Sequence, residues 1–168
     1  RNLSYIGGIC GYTKGTVIKN SNNKGPISLN RYSGGIVGNT NGTVENCVNE
    51  GNVISTAGYA GGIASEITTS AVVKNCINTA NIESKTGLMI GGIVGYANGS
   101  VDSSVNNCIS LGTVSSAATG DTLGSIIGSI TRGKVTNCYG VSKDKVVCGK
   151  VNATYATVTD SYASDDCN

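Results

Sequence analysis

Short apolar runs separated by glycine and asparagine recur along this chain with a period of about thirty residues. The stretch from Gly34 to Ser55, GGIVGNTNGTVENCVNEGNVIS, shows one period, in which β-branched residues follow each polar break. A Gly-Gly pair opens each period, and the steps between pairs are 27, 27, 30 and 33 residues; the first residues of the pairs are Gly7, Gly34, Gly61, Gly91 and Gly124, the last followed by Ser125. Such a period is typical of coils that stack on one another.

Apolar positions align from period to period in four columns. Short runs of β-branched residues between turn residues favour strands over helices. The columns are Ile9, Ile36, Ile63, Ile93 and Ile126; Cys10, Val37, Ala64, Val94 and Ile127; Ile18, Val44, Val73, Val105 and Val135; and Ile27, Val53, Ile82 and Val114. They predict an all-β fold, a parallel β-helix (β-solenoid) with about three short strands per coil and five to six coils of 27–33 residues. We expect one domain over residues 1–168, with a degenerate, capping last coil at about 141–168.

An Asn-Cys pair repeats with the same period and predicts two stacked columns. Asparagine tolerates left-handed backbone, and its amide can bond to the copies above and below, so a structural ladder is favoured over a catalytic or glycan-binding role. The paired residues are Asn46, Cys47, Asn75, Cys76, Asn107, Cys108, Asn137 and Cys138, preceded in register by Asn20. A second candidate ladder comprises Asn23, Asn49 and Asn78.

The seven cysteines allow more than one interpretation. An inward column of free thiols, each acting as a small hydrophobe, is favoured. Disulfides between Cys47 and Cys76 and between Cys108 and Cys138 are the alternative, because adjacent coils are close enough for them. Cys148 and Cys167 are a candidate disulfide that caps the less regular C-terminal part.

Composition restricts the function classes. There is no histidine, so Ser-His-Asp and Cys-His catalysis are excluded, and the ten acidic residues are scattered. No CxxC pair occurs, which argues against zinc. We therefore expect no enzyme activity, no catalytic or metal-binding residues and no cofactor. A net charge of +2 without basic runs argues against nucleic acid, and no apolar stretch is long enough for a membrane span.

The repeat resembles a known family. GGIVG followed by GTVENCVNEGNV, then GGIVGYANGS, VTNCYG and VTDSYA, resemble GLUG-type repeats of secreted and surface-attached proteins, which include adhesins and the non-catalytic stalks of immunoglobulin-cleaving metalloproteases. The resemblance extends from about Tyr5 to Ala163. It implies a β-solenoid and an extracellular or cell-surface location, and it supplies no catalytic positions.

Two sets of residues are candidate surface features. Asn-x-Ser/Thr sequons predict N-glycosylation if the source is a eukaryotic secretory pathway, and they lie at Asn2, Asn41, Asn98 and Asn152. Tyr5, Tyr32 and Tyr59 each stand two residues ahead of a Gly-Gly pair. Rings that pack against one another are favoured over an exposed row that holds a sugar chain.

The sequence thus predicts a structural protein. We expect an extracellular or cell-surface stalk module of an adhesin or a fibre subunit, which associates end to end with other copies or with neighbouring domains of a longer chain. The alternative is a module that binds carbohydrate, a host surface or another partner, and a polysaccharide-active enzyme is the least favoured interpretation.

Overall fold

The computed structural model describes residues 5–29, 31–143 and 146–165, and within these ranges every regular element is a strand. The first coil contains β1 (Tyr5–Gly7), β2 (Cys10–Thr13), β3 (Val17–Lys19), β4 (Asn22–Asn23) and β5 (Ile27–Leu29). The second contains β6 (Tyr32–Gly34), β7 (Val37–Thr40), β8 (Thr43–Glu45), β9 (Val48–Asn49) and β10 (Val53–Ser55). The third contains β11 (Ala60–Gly61), β12 (Ala64–Thr68), β13 (Val72–Lys74), β14 (Ile77–Asn78) and β15 (Ile82–Ser84).

The fourth coil repeats the same order, and the fifth and sixth coils contain fewer strands. The fourth contains β16 (Met89–Gly91), β17 (Val94–Asn98), β18 (Ser103–Asn106), β19 (Ile109–Ser110) and β20 (Val114–Ser116). The fifth contains β21 (Thr122–Gly124), β22 (Ile127–Ile130), β23 (Gly133–Thr136) and β24 (Tyr139–Val141). The sixth contains β25 (Cys148–Val151), β26 (Ala156–Thr159) and β27 (Tyr162–Ser164).

Corresponding strands of successive coils form five parallel sheets. Sheet A is β1-β6-β11-β16-β21, sheet B is β2-β7-β12-β17-β22-β25, sheet C is β3-β8-β13-β18-β23-β26, sheet D is β4-β9-β14-β19-β24-β27 and sheet E is β5-β10-β15-β20. In sheet C, Val44 pairs with Val73 and Val73 with Val105. The predicted β-solenoid is confirmed, and the columns of apolar residues lie in register as the sequence period indicated.

The structure has five strands in a complete coil, where the sequence predicts about three. A left-handed residue splits one predicted strand in two: Asn46 has a φ of 53° and separates β8 from β9. The Gly-Gly corner adds another division, because β6 ends at Gly34 and β7 begins at Val37. Backbone bends at these corners interrupt the hydrogen-bonded ladder, and the apolar pattern continues across them without a visible break.

The core is divided into two lobes. The larger lobe lies inside sheets B, C and D and is filled by the columns that contain Ile36, Val44 and Cys47. The smaller lobe lies between sheets E and A and includes Val53 and Ala60. Each lobe is narrow enough to be filled by Val, Ile, Ala and Cys, which explains how the chain builds a core without Phe or Trp.

A waist separates the lobes in the first three coils. There, an inward Asn of sheet D reaches across the coil to the second glycine of the Gly-Gly pair. A Cβ added to Gly35 would lie 2.3 Å from Cγ of Asn49, and one added to Gly62 would lie 2.4 Å from Cγ of Asn78. No side chain larger than hydrogen fits at these two glycines, since the opposite wall is already in contact.

The fifth coil exchanges the two partners of the waist. Ser125 occupies the position of the second glycine, and Gly140 occupies the position of the inward Asn. A Cβ on Gly140 would lie 2.4 Å from Oγ of Ser125. The side chain that fills the waist therefore comes from the opposite wall, and the distance between the walls is preserved.

We expect substitutions at Ser125 and Gly140 to change the free energy of unfolding non-additively. Gly140→Asn alone overfills the waist and should lower the free energy of unfolding by about 1–3 kcal/mol. Adding Ser125→Gly restores the pair found in the earlier coils and should recover most of that loss. Denaturant unfolding of both single variants and the double variant measures the coupling. Strictly additive changes would show that Ser125 and Gly140 do not share one space.

Candidate functional site

Five tyrosine rings form a continuous ladder on the outer face where sheets A and B meet. The ring centroids of Tyr5 and Tyr32 are 4.9 Å apart, and those of Tyr32 and Tyr59 are 5.1 Å apart. Tyr96 continues the ladder at 5.0 Å from Tyr59, and Tyr12 flanks Tyr5 at 6.1 Å. Tilted and edge-on rings at these separations attract one another, so the rings are mainly packed against each other.

A buried carboxylate lies beneath the ladder. Glu66, on β12, is only 7% exposed. Its Oε2 accepts hydrogen bonds from the Tyr5 hydroxyl at 3.1 Å and from Nδ2 of Asn39 at 2.8 Å, and its Oε1 accepts a longer one of 3.4 Å from Nδ2 of Asn98. These donors satisfy the buried charge from three different coils, and the carboxylate fastens the ladder to the solenoid wall.

Burial and the Glu66 charge raise the pKa values of three tyrosines in the ladder. Burial, followed by the Glu66 carboxylate, raises the pKa of Tyr5 to about 12. Burial is also the main cause of the raised pKa values of Tyr59 and Tyr96, and the Glu66 charge contributes to both. All three rings therefore stay protonated well above neutral pH.

The sequence pointed to Tyr5, Tyr32 and Tyr59, which lie in one row. It missed Tyr12, Tyr96 and Glu66, because these lie on sheet B, one corner further along the coil. Alignment of the coils could have found these residues, because one column of polar or aromatic side chains contains Tyr12, Asn39, Glu66 and Tyr96.

The first predicted asparagine ladder is a chain of side-chain hydrogen bonds along the outside of the solenoid. In each step Nδ2 donates to Oδ1 of the preceding coil: Asn46 to Asn20 at 3.3 Å, Asn75 to Asn46 at 3.2 Å, Asn107 to Asn75 at 3.2 Å and Asn137 to Asn107 at 2.7 Å. All five have φ between 51° and 54°. Asparagine thus supplies the left-handed corner and the axial bond together.

The second asparagine ladder is buried in the waist. Nδ2 of Asn23 donates to Oδ1 of Asn49 at 2.9 Å, and Nδ2 of Asn49 donates to Oδ1 of Asn78 at 2.8 Å. Asn78 continues to Oγ of Ser110 at 3.4 Å. A buried amide without partners would be costly, and the ladder together with local backbone carbonyls removes that cost.

The cysteine column is a stack of free, buried thiols, Cys47, Cys76, Cys108 and Cys138. Each sulfur lies 3.2–3.3 Å from the carbonyl oxygen two residues earlier. Hydrogen bonding to the Cys76 sulfur and burial raise the pKa of Cys47; interactions with the Cys138 and Cys76 sulfurs and burial raise that of Cys108. The structure contains no Cys47–Cys76 or Cys108–Cys138 bridge.

Cys148 does not lie in an irregular cap. It pairs with Ile127 in sheet B and so continues the column that begins with Cys10. Burial raises its pKa to about 12. Cys167, its candidate disulfide partner, lies outside the described residues, so that pairing stays a prediction.

The sequons occupy different environments. Asn41 is half-buried, and its Oδ1 accepts a hydrogen bond from the Gly15 backbone N–H at 2.7 Å. Asn98 and Asn152 are exposed. Asn2 lies outside the described residues. Glycosylation at these sites stays a prediction.

Lysine and glutamate side chains of adjacent coils form oppositely charged pairs. Nζ of Lys74 lies 2.9 Å from a carboxylate oxygen of Glu45, and Nζ of Lys24 lies 3.8 Å from one of Glu50. The hydrogen bond from Lys74 lowers the pKa of Glu45, with Lys19 also contributing. Such exposed pairs contribute little energy and favour the observed register.

The described ranges lack two further features. No group of three or more His, Cys, Asp or Glu side chains there is placed to hold a metal ion. The same residues include no helix with the length and apolarity that a membrane crossing requires.

Comparison with known families gives a match to part of the chain. The family model of the GLUG motif matches residues 30–54. The motif covers most of the second coil, from just before β6 into β10, so the resemblance is confirmed for that coil. Neither the curated proteins nor the solved structures give a match to this chain.

The alkaline titration of the ladder tests the role of Glu66. Because the pKa of Tyr5 is raised to about 12, its stabilising contribution is complete below the ordinary tyrosine pKa of about 10 and is lost as the pH rises through 12. In Glu66→Gln we expect the tyrosinate absorbance to develop at lower pH than in the wild type. Glu83→Gln, an exposed control, should not move it. Identical curves for Glu66→Gln and wild type would contradict the assignment.

Thiol reactivity distinguishes the two interpretations of the cysteine column. We expect a maleimide reagent to leave Cys47, Cys76, Cys108 and Cys138 unmodified in the native protein, because all four thiols are buried and out of reach of the reagent. After unfolding without reductant, all four should be modified in peptide mass spectra. If the column were disulfide-bonded, unfolded protein would show no more than three reactive thiols of the seven.

Proposed function

We propose that this chain is a non-enzymatic structural module, a β-solenoid of the cell surface or extracellular space that serves as an adhesin stalk or as a fibre subunit. The observation that carries the proposal is the axial asparagine ladder, in which Asn20 to Asn137 are linked from coil to coil by four side-chain hydrogen bonds. Together with the parallel backbone pairing, it connects every coil to its neighbours along one axis, as a rod that resists extension requires.

The first and last described coils support association along this axis. In the column of Ile9, the four later members are fully buried, and Ile9 itself is 48% exposed. In the column of Ile130, that residue is 1% exposed, and Val151 in the coil above it is 37% exposed. Another coil stacked on these positions would bury them. A neighbouring domain of the same chain or a second copy would provide such a coil.

The distribution of polar groups supports a structural role over catalysis. The Glu66 carboxylate accepts hydrogen bonds from Tyr5, Asn39 and Asn98. Glu45 and Glu50 form ion pairs with lysines. These carboxylates hold the coils together. The surface location is supported by the GLUG resemblance and by the exposure of the sequons at Asn98 and Asn152.

The fibre version is tested by blocking one face of the rod. We expect wild-type protein to form longer rods as its concentration rises, measured by light scattering and negative-stain electron microscopy. Val151→Asp should keep the rods short, because a carboxylate cannot be buried against another coil. Ile77→Asp is the matched control, since Ile77 is equally exposed, at 37%, but lies on the lateral face.

Thermal unfolding confirms that each variant is folded before assembly is compared. Short wild-type rods at every concentration would contradict the fibre subunit and leave the stalk module, in which neighbouring coils belong to the same chain. Equal effects of Val151→Asp and Ile77→Asp would place the association on the side of the rod instead of its end.

A further inference from the structure

A shallow groove of about 330 Å³ lies on the outer face of the last coils, between the exposed asparagine ladder and the neighbouring column of sheet D. One wall is polar and consists of Asn107, Asn137 and Asp160. The other wall is apolar and consists of Ile109, Tyr139 and Tyr162. Successive members of each wall come from successive coils, so the groove runs parallel to the solenoid axis.

The aromatic wall is specific to this end of the solenoid. In this column the first coil has asparagine and the next three have aliphatic residues; the order is Asn22, Val48, Ile77, Ile109, Tyr139 and Tyr162. Tyr162 is the most exposed large apolar side chain described, at 69%. A short aliphatic column would be sufficient for the fold, as the earlier coils show, so the two tyrosines provide a surface that packing does not require.

The polar wall also changes at this point. Asp160 adopts the left-handed backbone of the ladder, with a φ of 49°, but a carboxylate has no N–H to donate to Asn137. The donor series of the ladder therefore ends at Asn137. Oδ1 of Asn137 and the carboxylate of Asp160 remain as hydrogen-bond acceptors beside the rings, and each ladder amide has a second N–H that the ladder does not use.

Other tyrosines on the surface are already engaged. The rings of the tyrosine ladder pack on one another, and the face of Tyr155 is covered by the Arg132 guanidinium, 4.4 Å from the ring centroid. Among the rings in the described ranges, Tyr139 and Tyr162 take part in no ring–ring or cation–ring contact. Their faces are available to a ligand.

We propose that this groove binds a neutral, linear oligosaccharide along the solenoid axis. The apolar face of a pyranose ring packs on an exposed aromatic ring, and its hydroxyl groups bond to amides and carboxylates at the edge, which are the groups that the two walls present. The Asp160 carboxylate accepts hydrogen bonds from sugar hydroxyls and repels uronic or sulfated sugars. This site lies apart from the tyrosine ladder, and its function does not depend on assembly of the rod.

The experiment is a calorimetric titration of the whole chain with neutral gluco- and manno-oligosaccharides, and with oligogalacturonate as the anionic counterpart. We expect binding of a neutral oligosaccharide in the millimolar to micromolar range typical of shallow sites and none of oligogalacturonate. Tyr162→Ile and Tyr139→Ile introduce the residue that two earlier coils have in this column, so the fold should be retained. Each should weaken binding by about tenfold.

Two further variants complete the test. Asp160→Asn introduces the residue of the preceding ladder positions, and it should weaken neutral binding severalfold and reduce discrimination against oligogalacturonate. Tyr155→Ile is the matched control, because Tyr155 is 54% exposed in the same part of the chain and lies outside the groove. Absence of binding by folded wild type, preference for the anionic sugar, or equal losses in Tyr155→Ile and Tyr162→Ile would each overturn the proposal.

Discussion

In-register parallel hydrogen bonding between coils is the constraint on which the rest of this structure depends. It places equivalent residues of successive coils about 4.8 Å apart along one axis. At that spacing a side chain contacts the equivalent side chain of the next coil. Each position therefore requires a residue that packs or bonds favourably with a residue of the same kind. Valine and isoleucine columns satisfy this requirement in the core, and asparagine satisfies it at the corner, where the side-chain bonds from Asn20 to Asn137 run parallel to the backbone ladder.

The same spacing explains why charges and rings are arranged as they are. A repeated carboxylate would repel itself, and the chain alternates lysine with glutamate at Lys19, Glu45 and Lys74. Tyrosine can repeat because tilted rings attract at about 5 Å. Glu66 appears once in its column, between Asn39 and Tyr96, and neutral donors from three coils stabilise its charge. The Tyr5 hydroxyl donates to this carboxylate, which holds one end of the tyrosine ladder against the solenoid wall.

The waist is the second constraint, and it makes a thin core possible. Contact between Gly35 and Asn49 divides the cross-section into two lobes, each of which small apolar side chains can fill. Ser125 and Gly140 preserve this contact with the partners reversed. The distance between the two walls of the waist is therefore the same in these coils. The residues in outward-facing columns are not restricted by this contact and can differ from coil to coil. Variation in one of these columns introduces Tyr139 and Tyr162 beside the end of the asparagine ladder.

The sequence by itself determined the period, the β-solenoid and the columns, because in a parallel in-register stack one period along the chain corresponds to one step along the axis. Val44, Val73 and Val105 could be aligned without coordinates for this reason. Only the tertiary structure decided which residues meet across or around a coil. The contact of Gly35 with Asn49 and the hydrogen bond of Tyr5 to Glu66 both join positions at different phases of the repeat. Backbone bends at the corners set those distances, and a spacing in the sequence does not encode the angle of a bend.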